Sequence, residues 1–97
     1  NRDFCELNFD LNQQAFHNKL RGLSPSPGAW MKTTFGDMKL FRGRRLEKSN
    51  SNQATGIEID QKKLIVHLYD GDYEILELQP AGKPKMLAKD FINGLKK

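Results

Sequence analysis

Leu64-Ile65-Val66-His67-Leu68-Tyr69-Asp70-Gly71-Asp72-Tyr73-Glu74-Ile75-Leu76-Glu77-Leu78-Gln79-Pro80 is the stretch on which the fold turns. Residues 64–69 are apolar and partly β-branched, as in a central strand. Asp70-Gly71 is a hairpin signal, because glycine tolerates the backbone angles of a tight turn. Residues 73–79 then alternate. Tyr73, Ile75, Glu77 and Gln79 fall on one face and Glu74, Leu76 and Leu78 on the other. Pro80 ends the strand.

Working upstream, residues 56–59 read as a short strand and 60–63 as a turn. The polar, Ser- and Asn-rich residues 47–55 read as a loop and the best target for proteolysis. Residues 29–35 and 38–46 read as a strand pair across a Gly36-Asp37 turn. On the second strand Met38 and Leu40 share one face while Lys39 and Phe41 share the other. Before them, Phe16, Leu20 and Leu23 recur on one helical face, which predicts a helix over 11–21. Asp10 and Gln13 form its capping pair, Gly22 lies near its end, and Pro25 and Pro27 forbid continuation. Downstream, Leu87, Phe91 and Leu95 recur every four residues, a short helix that Gly94 is suited to end.

The sum is a mainly β fold: a small five-stranded antiparallel barrel, similar to the oligonucleotide-binding fold, with a leading and a closing helix. Residues 1–97 form one domain. Residues 1–28 are the leading helix and Pro-rich loop, 29–79 the barrel, and 80–97 the loop and closing helix.

Cys5 is the single cysteine, which excludes an internal disulfide and favours a reducing, cytoplasmic setting. Only His17 and His67 could join it around a metal, without ligand spacing, so no metal is expected. No apolar run approaches a membrane span. The amino terminus lacks a signal-peptide pattern and an initiator Met, so a piece of a longer protein is expected.

The net charge of +4 is unevenly spread. Residues 1–31 balance, 32–49 carry +4, 50–79 carry −4 and 80–97 carry +4. If the two basic segments meet in the fold, they form a patch that attracts polyanions. Lys39, Arg42, Arg44, Arg45 and Lys48 interleave with Phe41 and Leu46. In a regular strand Arg42 and Arg44 share a face, where planar guanidinium groups suit phosphate oxygens. Lys83, Lys85 and Lys89 supply the second segment. The alternative for the strand is a solvated edge protected from aggregation by its charge.

No nucleophile–base pair stands out. His67, inside the strongest strand, reads as a packed strand residue. Asp70-Gly71-Asp72 lacks the further oxygen ligands of a calcium loop and reads as a turn. Trp30 reads as a core anchor, with a stacking role as the alternative.

Two stretches carry a family resemblance. His17-Asn18-Lys19-Leu20-Arg21-Gly22-Leu23-Ser24-Pro25-Ser26-Pro27-Gly28-Ala29-Trp30 is one. Leu78-Gln79-Pro80-Ala81-Gly82-Lys83-Pro84-Lys85-Met86, followed by Asp90-Phe91-Ile92-Asn93-Gly94, is the other. In order and separation they resemble the carboxy-terminal domain of methionyl-tRNA formyltransferases. The resemblance implies a two-domain enzyme that moves a formyl group from 10-formyltetrahydrofolate to methionine on initiator tRNA. The catalytic residues and folate pocket would lie in an amino-terminal catalytic domain, leaving no cofactor and no active site here. It implies a basic channel that helps hold tRNA, with Lys39, Arg42, Arg44, Arg45, Lys83, Lys85 and Lys89 as candidate RNA contacts. Ser26, Pro84 and Leu87 depart from the family pattern, and Leu87 replaces a Ser or Thr that often caps the last helix. Two other readings stay open. One is a structural or dimerising accessory domain of a sugar-nucleotide formyltransferase or a folate dehydrogenase. The other is an independent interaction protein.

Overall fold

The computed structural model describes residues 3–47 and 54–95. A 3-10 turn at Asp3–Cys5 leads to helix α1 (Gln13–Leu23), then strands β1 (Ala29–Thr33), β2 (Gly36–Leu46), β3 (Gly56–Asp60), β4 (Lys63–Leu68) and β5 (Gly71–Pro80). A two-residue strand β6 (Met86–Leu87) runs directly into helix α2 (Ala88–Leu95). Residues 48–53 of the expected proteolysis-prone loop lie outside the described residues.

The strands pair antiparallel in the order β1-β2-β5-β4-β3, and the sheet curls into a half-barrel. β5 is its axis. One edge pairs with β2; the other pairs first with β4, at Gly71 to Ile75, and then with β6, at Glu77 and Leu78. The sequence pattern puts Met86 in the loop and Leu87 in the closing helix, because two residues are too few to show a period of two. The N-terminal segment covers β1: Glu6 bridges Trp30, and Leu7 N donates to Trp30 O at 2.7 Å. Trp30 is buried at this junction, as a core anchor would be.

β2 and β5 go out of step twice, between Leu40 and Arg42 and between Arg42 and Gly43. Bulges of this kind bend a strand and let a sheet curl. They also exchange inward and outward positions. Leu40 pairs with Leu78 in the core before the irregularity, and Gly43 pairs with core Ile75 after it. On β2 the extra residue is Phe41, whereas between Arg42 and Gly43 it is Leu76 of β5, so the strict alternation read over 73–79 breaks there while Arg42 and Arg44 stay exposed on either side of the inward-facing Gly43.

Gly43 is dictated by packing. A Cβ there would lie 2.3 Å from Tyr73 Cε2 and 2.7 Å from Glu74 O. The fully buried Tyr73 ring thus crosses the bare backbone of β2 and meets Phe16 of α1, ring centroids 5.1 Å apart. Phe16 and Leu20 form the buried face of α1, as their spacing predicts.

α1 is capped at Asn12, whose Oδ1 accepts from Ala15 N at 2.7 Å, and not by Asp10 with Gln13. Gln13 is used across the fold. Its Nε2 donates to Leu46 O at 2.7 Å and Asp72 O at 2.6 Å, and its N donates to Asp70 Oδ1 at 2.8 Å. One amide thus closes the end of the β2–β5 ladder against the helix. A Cβ on Gly71 would come within 2.7 Å of that amide nitrogen, so this glycine makes room rather than a turn.

Both expected hairpin turns sit slightly early. Thr33 pairs with Gly36 and Leu68 with Gly71, so Thr34-Phe35 and Tyr69-Asp70 are the loop residues. Thr33 Oγ1 holds the first turn, donating to Gly36 O at 2.7 Å and accepting from Phe35 N at 3.0 Å. Phe35 thereby reaches Phe91 edge-on at 5.7 Å. On α2 the buried residues are Ala88, Phe91 and Ile92, while Leu87 and Leu95 are exposed. The predicted stripe is off by one because β6 takes Leu87.

Gly43→Ala is expected to destabilise the domain by roughly 1–3 kcal/mol, the usual range for overpacking a filled site. Urea unfolding against the unchanged chain checks this. An unaltered midpoint would mean that β2 yields at this point.

Candidate nucleic-acid interface

The two basic segments do meet. Arg42 Nε lies 4.0 Å from Glu77 Oε1, and Lys85 Nζ lies 3.8 Å from the same oxygen. Lys85 Nζ also sits 4.6 Å from the centroid of the Phe41 ring. A cation over an aromatic face keeps its charge while its approach is fixed by the ring quadrupole. Residues 43 positions apart in the chain thus share one carboxylate because β5 lies between β2 and β6.

Lys39 and Lys83 extend this patch. Lys39 pairs with Gln79, whose Nε2 donates to Lys83 O at 2.9 Å. Lys83 N in turn donates to Pro80 O at 3.1 Å, and Ala81 N to Asp37 O at 3.1 Å. The turn after β5 is therefore tied down beside β2, with Gly82 in the left-handed region at φ +75°. Lys39, Arg42, Lys83 and Lys85 against Glu77 leave a local surplus of positive charge, on side chains open to solvent.

The other three candidates sit elsewhere. Arg44 Nε donates to Glu74 Oε1 at 2.8 Å, onto a carboxylate that is almost buried. Arg45 belongs to the opposite face and donates to Gln14 Oε1 on α1. Lys89 is exposed in the first turn of α2, two residues beyond Leu87, which pairs with Glu77. Lys48 lies outside the described residues. Phe41 and Glu77, which organise the patch, were not singled out as site residues. The signals for the former are its alternation with Lys39 and its place among the interleaved cations.

A groove of about 530 Å³ borders the patch, lined by Pro27, Gly28 and Trp30 on one side and Gln79 to Gly82 on the other, with Lys39 and Asp37 between them. Both stretches that carry the family resemblance therefore face one another across it. The Pro-rich loop is held against β2 by Ser24 Oγ, which donates to Phe41 O at 3.0 Å, and by Gly28 at φ +89°. A Cβ on Gly28 would press on Lys39 Cδ at 3.2 Å and Phe41 Cε1 at 3.4 Å.

Both histidines make contacts that hold the fold. Buried His67 lies between two carboxylates, with Nδ1 2.8 Å from Asp72 Oδ1 and Nε2 2.8 Å from Glu58 Oε1. Burial pulls its pKa down, but the hydrogen bonds to Asp72 and Glu58, aided by their charges, outweigh it and leave the pKa above 6.5. His17 Nδ1 lies 2.6 Å from Tyr73 Oη. Cys5 is buried. Among the described residues no group of His, Cys, Asp and Glu could hold a metal ion, and no helix is long and apolar enough to cross a membrane.

The family described as formyl transferase, C-terminal domain, matches residues 1–96. The methionyl-tRNA formyltransferase of Lactobacillus johnsonii is 32% identical over 94 residues, covering 96% of this chain and 30% of that protein. The Staphylococcus epidermidis protein of the same name is 33% identical over 95 residues, covering 97% of this chain and 31% of that one. The chain thus spans under a third of the length of these relatives. A crystal structure of a HypX variant from Aquifex aeolicus shares the fold, with a TM-score of 0.75 at 14% identity, covering 97% of this chain and 18% of that one.

His67 sets a pH dependence. Folding favours its protonated form, so its stabilisation is complete below the unfolded pKa of about 6.5 and is lost as pH rises through the higher folded value. The urea midpoint should fall between pH 6 and pH 9, and His67→Gln should flatten that fall. A wild-type midpoint level across this range would show that the imidazole folds neutral.

Proposed function

Since the chain belongs to the formyl transferase C-terminal domain family, matched over residues 1–96, we propose that it is the tRNA-holding domain of a methionyl-tRNA formyltransferase acting in translation initiation in the cytoplasm. In this reading an N-terminal catalytic domain, in the part of the relatives that this chain does not span, binds 10-formyltetrahydrofolate and transfers the formyl group. Here Cys5 and His67 are buried and His17 is bonded to Tyr73, roles that suit packing rather than turnover. The domain's contribution is affinity and orientation of the RNA.

The observation that carries the reading is the pair of cations on Glu77. At 4.0 and 3.8 Å neither contact is a close hydrogen-bonded ion pair, and exposed pairs of this sort contribute at most about 1 kcal/mol. A phosphate oxygen can take the place of the carboxylate at small cost. Arg42 offers a planar fork to it, while Lys85 acts as a point charge steered by Phe41. Lys39 and Lys83 continue the positive edge, and the groove behind Lys39 lets a rounded RNA backbone approach. Each phosphate engaged releases counterions, so such binding should weaken steeply with salt.

Arg42→Ala combined with Lys85→Ala is expected to weaken binding of initiator tRNA and to reduce the slope of log affinity against log salt by about 2. Glu77→Gln should act in the opposite direction. Filter binding at several salt concentrations reads both. Equal affinity for the unchanged chain and the double variant would overturn the proposal and favour an accessory domain without an RNA partner.

A further inference from the structure

A second set of cations lies on the other face of β2. Gln14, His17 and Arg21 are spaced by three and four residues along α1, which places them in one stripe beside the buried Phe16–Leu20 face. Arg45 of β2 reaches the same stripe through Gln14. Tyr73 Oη lies 2.6 Å from His17 Nδ1, His17 and Arg45 line one groove, and Arg21 stands four residues after His17 on the same helix. Neither arginine makes an ion pair with a carboxylate among the described residues. Arg44, by contrast, has Glu74.

We propose that this seam between α1 and β2 is a phosphate-binding site in its own right, with Arg21 and Arg45 gripping the anion and His17 supplying a neutral N–H donor. A groove of about 530 Å³ opens beside it, lined by Gln13, His17, Gly43, Arg44 and Arg45 among others, with Arg21 outside its lining. Its acidic members are both at the Gln13 end. Asp70 is held by Gln13 N, and Glu47 follows Leu46, whose carbonyl takes the Gln13 amide. Arg21 lies one helical turn beyond His17 in the opposite direction. The carboxylates of the groove thus lie toward Gln13, and Arg21 lies on the far side of His17 from them.

Tyr73 fixes the donor. Burial pushes its hydroxyl up to about 12, so the phenol keeps its proton and is assigned as donor to His17 Nδ1. The ring proton then belongs on Nε2. Burial first, then Arg45 and Arg21, hold the His17 pKa below 6.5, so the ring is neutral at pH 7. Gly43 completes the arrangement, since only a bare backbone lets the Tyr73 ring pass β2 to reach His17. The ligand chemistry is a phosphate group, on an RNA backbone or on a small phosphate ester.

The test follows the His17 ring by NMR through a pH titration of the chain, with and without millimolar inorganic phosphate. A bound anion between the arginines should raise the His17 pKa by about half a unit or more, leaving His67 unmoved as an internal control. Arg21→Ala with Arg45→Ala should abolish the phosphate response while His67 still titrates as before, which reports an intact fold. An identical His17 titration with and without phosphate would overturn the site. Adenosine monophosphate and tRNA then separate the sources: a response to both fits a small phosphate ester, and a response to tRNA alone fits an RNA backbone. Because inorganic phosphate decides the site, failure of the tRNA proposal at Arg42 and Lys85 would leave this result standing.

Discussion

Between Leu40 and Gly43 the two longest strands go out of step by one residue on each side, and then recover their register. Two consequences follow from this one irregularity. The sheet bends, which lets β1 and β3 curl around a common core without pairing with each other. The side chains also change face, so Leu40 and Leu78 point into the core on one side of the bend, and Tyr73 and Ile75 do so on the other. Gly43 sits at the exchange because the Tyr73 ring needs its space. A regular ladder here would have produced a flatter sheet with α1 unable to seat Phe16 on Tyr73.

The same irregularity sorts the cations. Before it, Lys39 and Phe41 look toward the Pro-rich loop and the turn after β5. Across it, Arg42 turns to Glu77 and Arg44 to Glu74, while Arg45 leaves for α1. What the sequence presents as one basic run is therefore three separate environments. One is shared with the C-terminal lysines, one is neutralised by a nearly buried carboxylate, and one faces a helix. Summed charge points to a basic patch, but the bulge decides which cations belong to it.

This explains which features were legible beforehand. The five strands and both helices follow from local composition, because each is long enough to show its period or is bounded by turn residues. Phe16 and Leu20 bury as their spacing requires. The misplacements have a common cause in side chains that act at long range. Gln13 has the spacing of a local cap but bonds to residues 33 and 59 positions away. Gly71 has the pattern of a turn residue but is needed for that amide. Leu87 fits the helical spacing but completes β5's second edge. Among site residues, Lys39, Arg42, Lys83 and Lys85 converge, while Arg44, exposed like Arg42, goes to a carboxylate of its own, Glu74, a partner that no local pattern could name. His17 stands out in the sequence only as a metal candidate and within the family motif, since its contact is with a tyrosine more than fifty residues downstream.

The acidic stretch between the two basic ones looks at first like a charge that cancels them. The contacts assign it a different role. Glu58 and Asp72 flank His67, Asp70 holds the first turn of α1, and Glu74 fixes Arg44. Glu77 faces the basic patch, at a distance where it aligns Arg42 and Lys85 without closing a tight pair. Acids consumed within the sheet contribute little field outside it, since opposite charges a few ångströms apart largely cancel at the range where a large ligand is first attracted. The exposed lysines and arginines keep theirs. A chain with a modest net charge can thus present a strongly positive surface, provided that its carboxylates are used up in holding strands together.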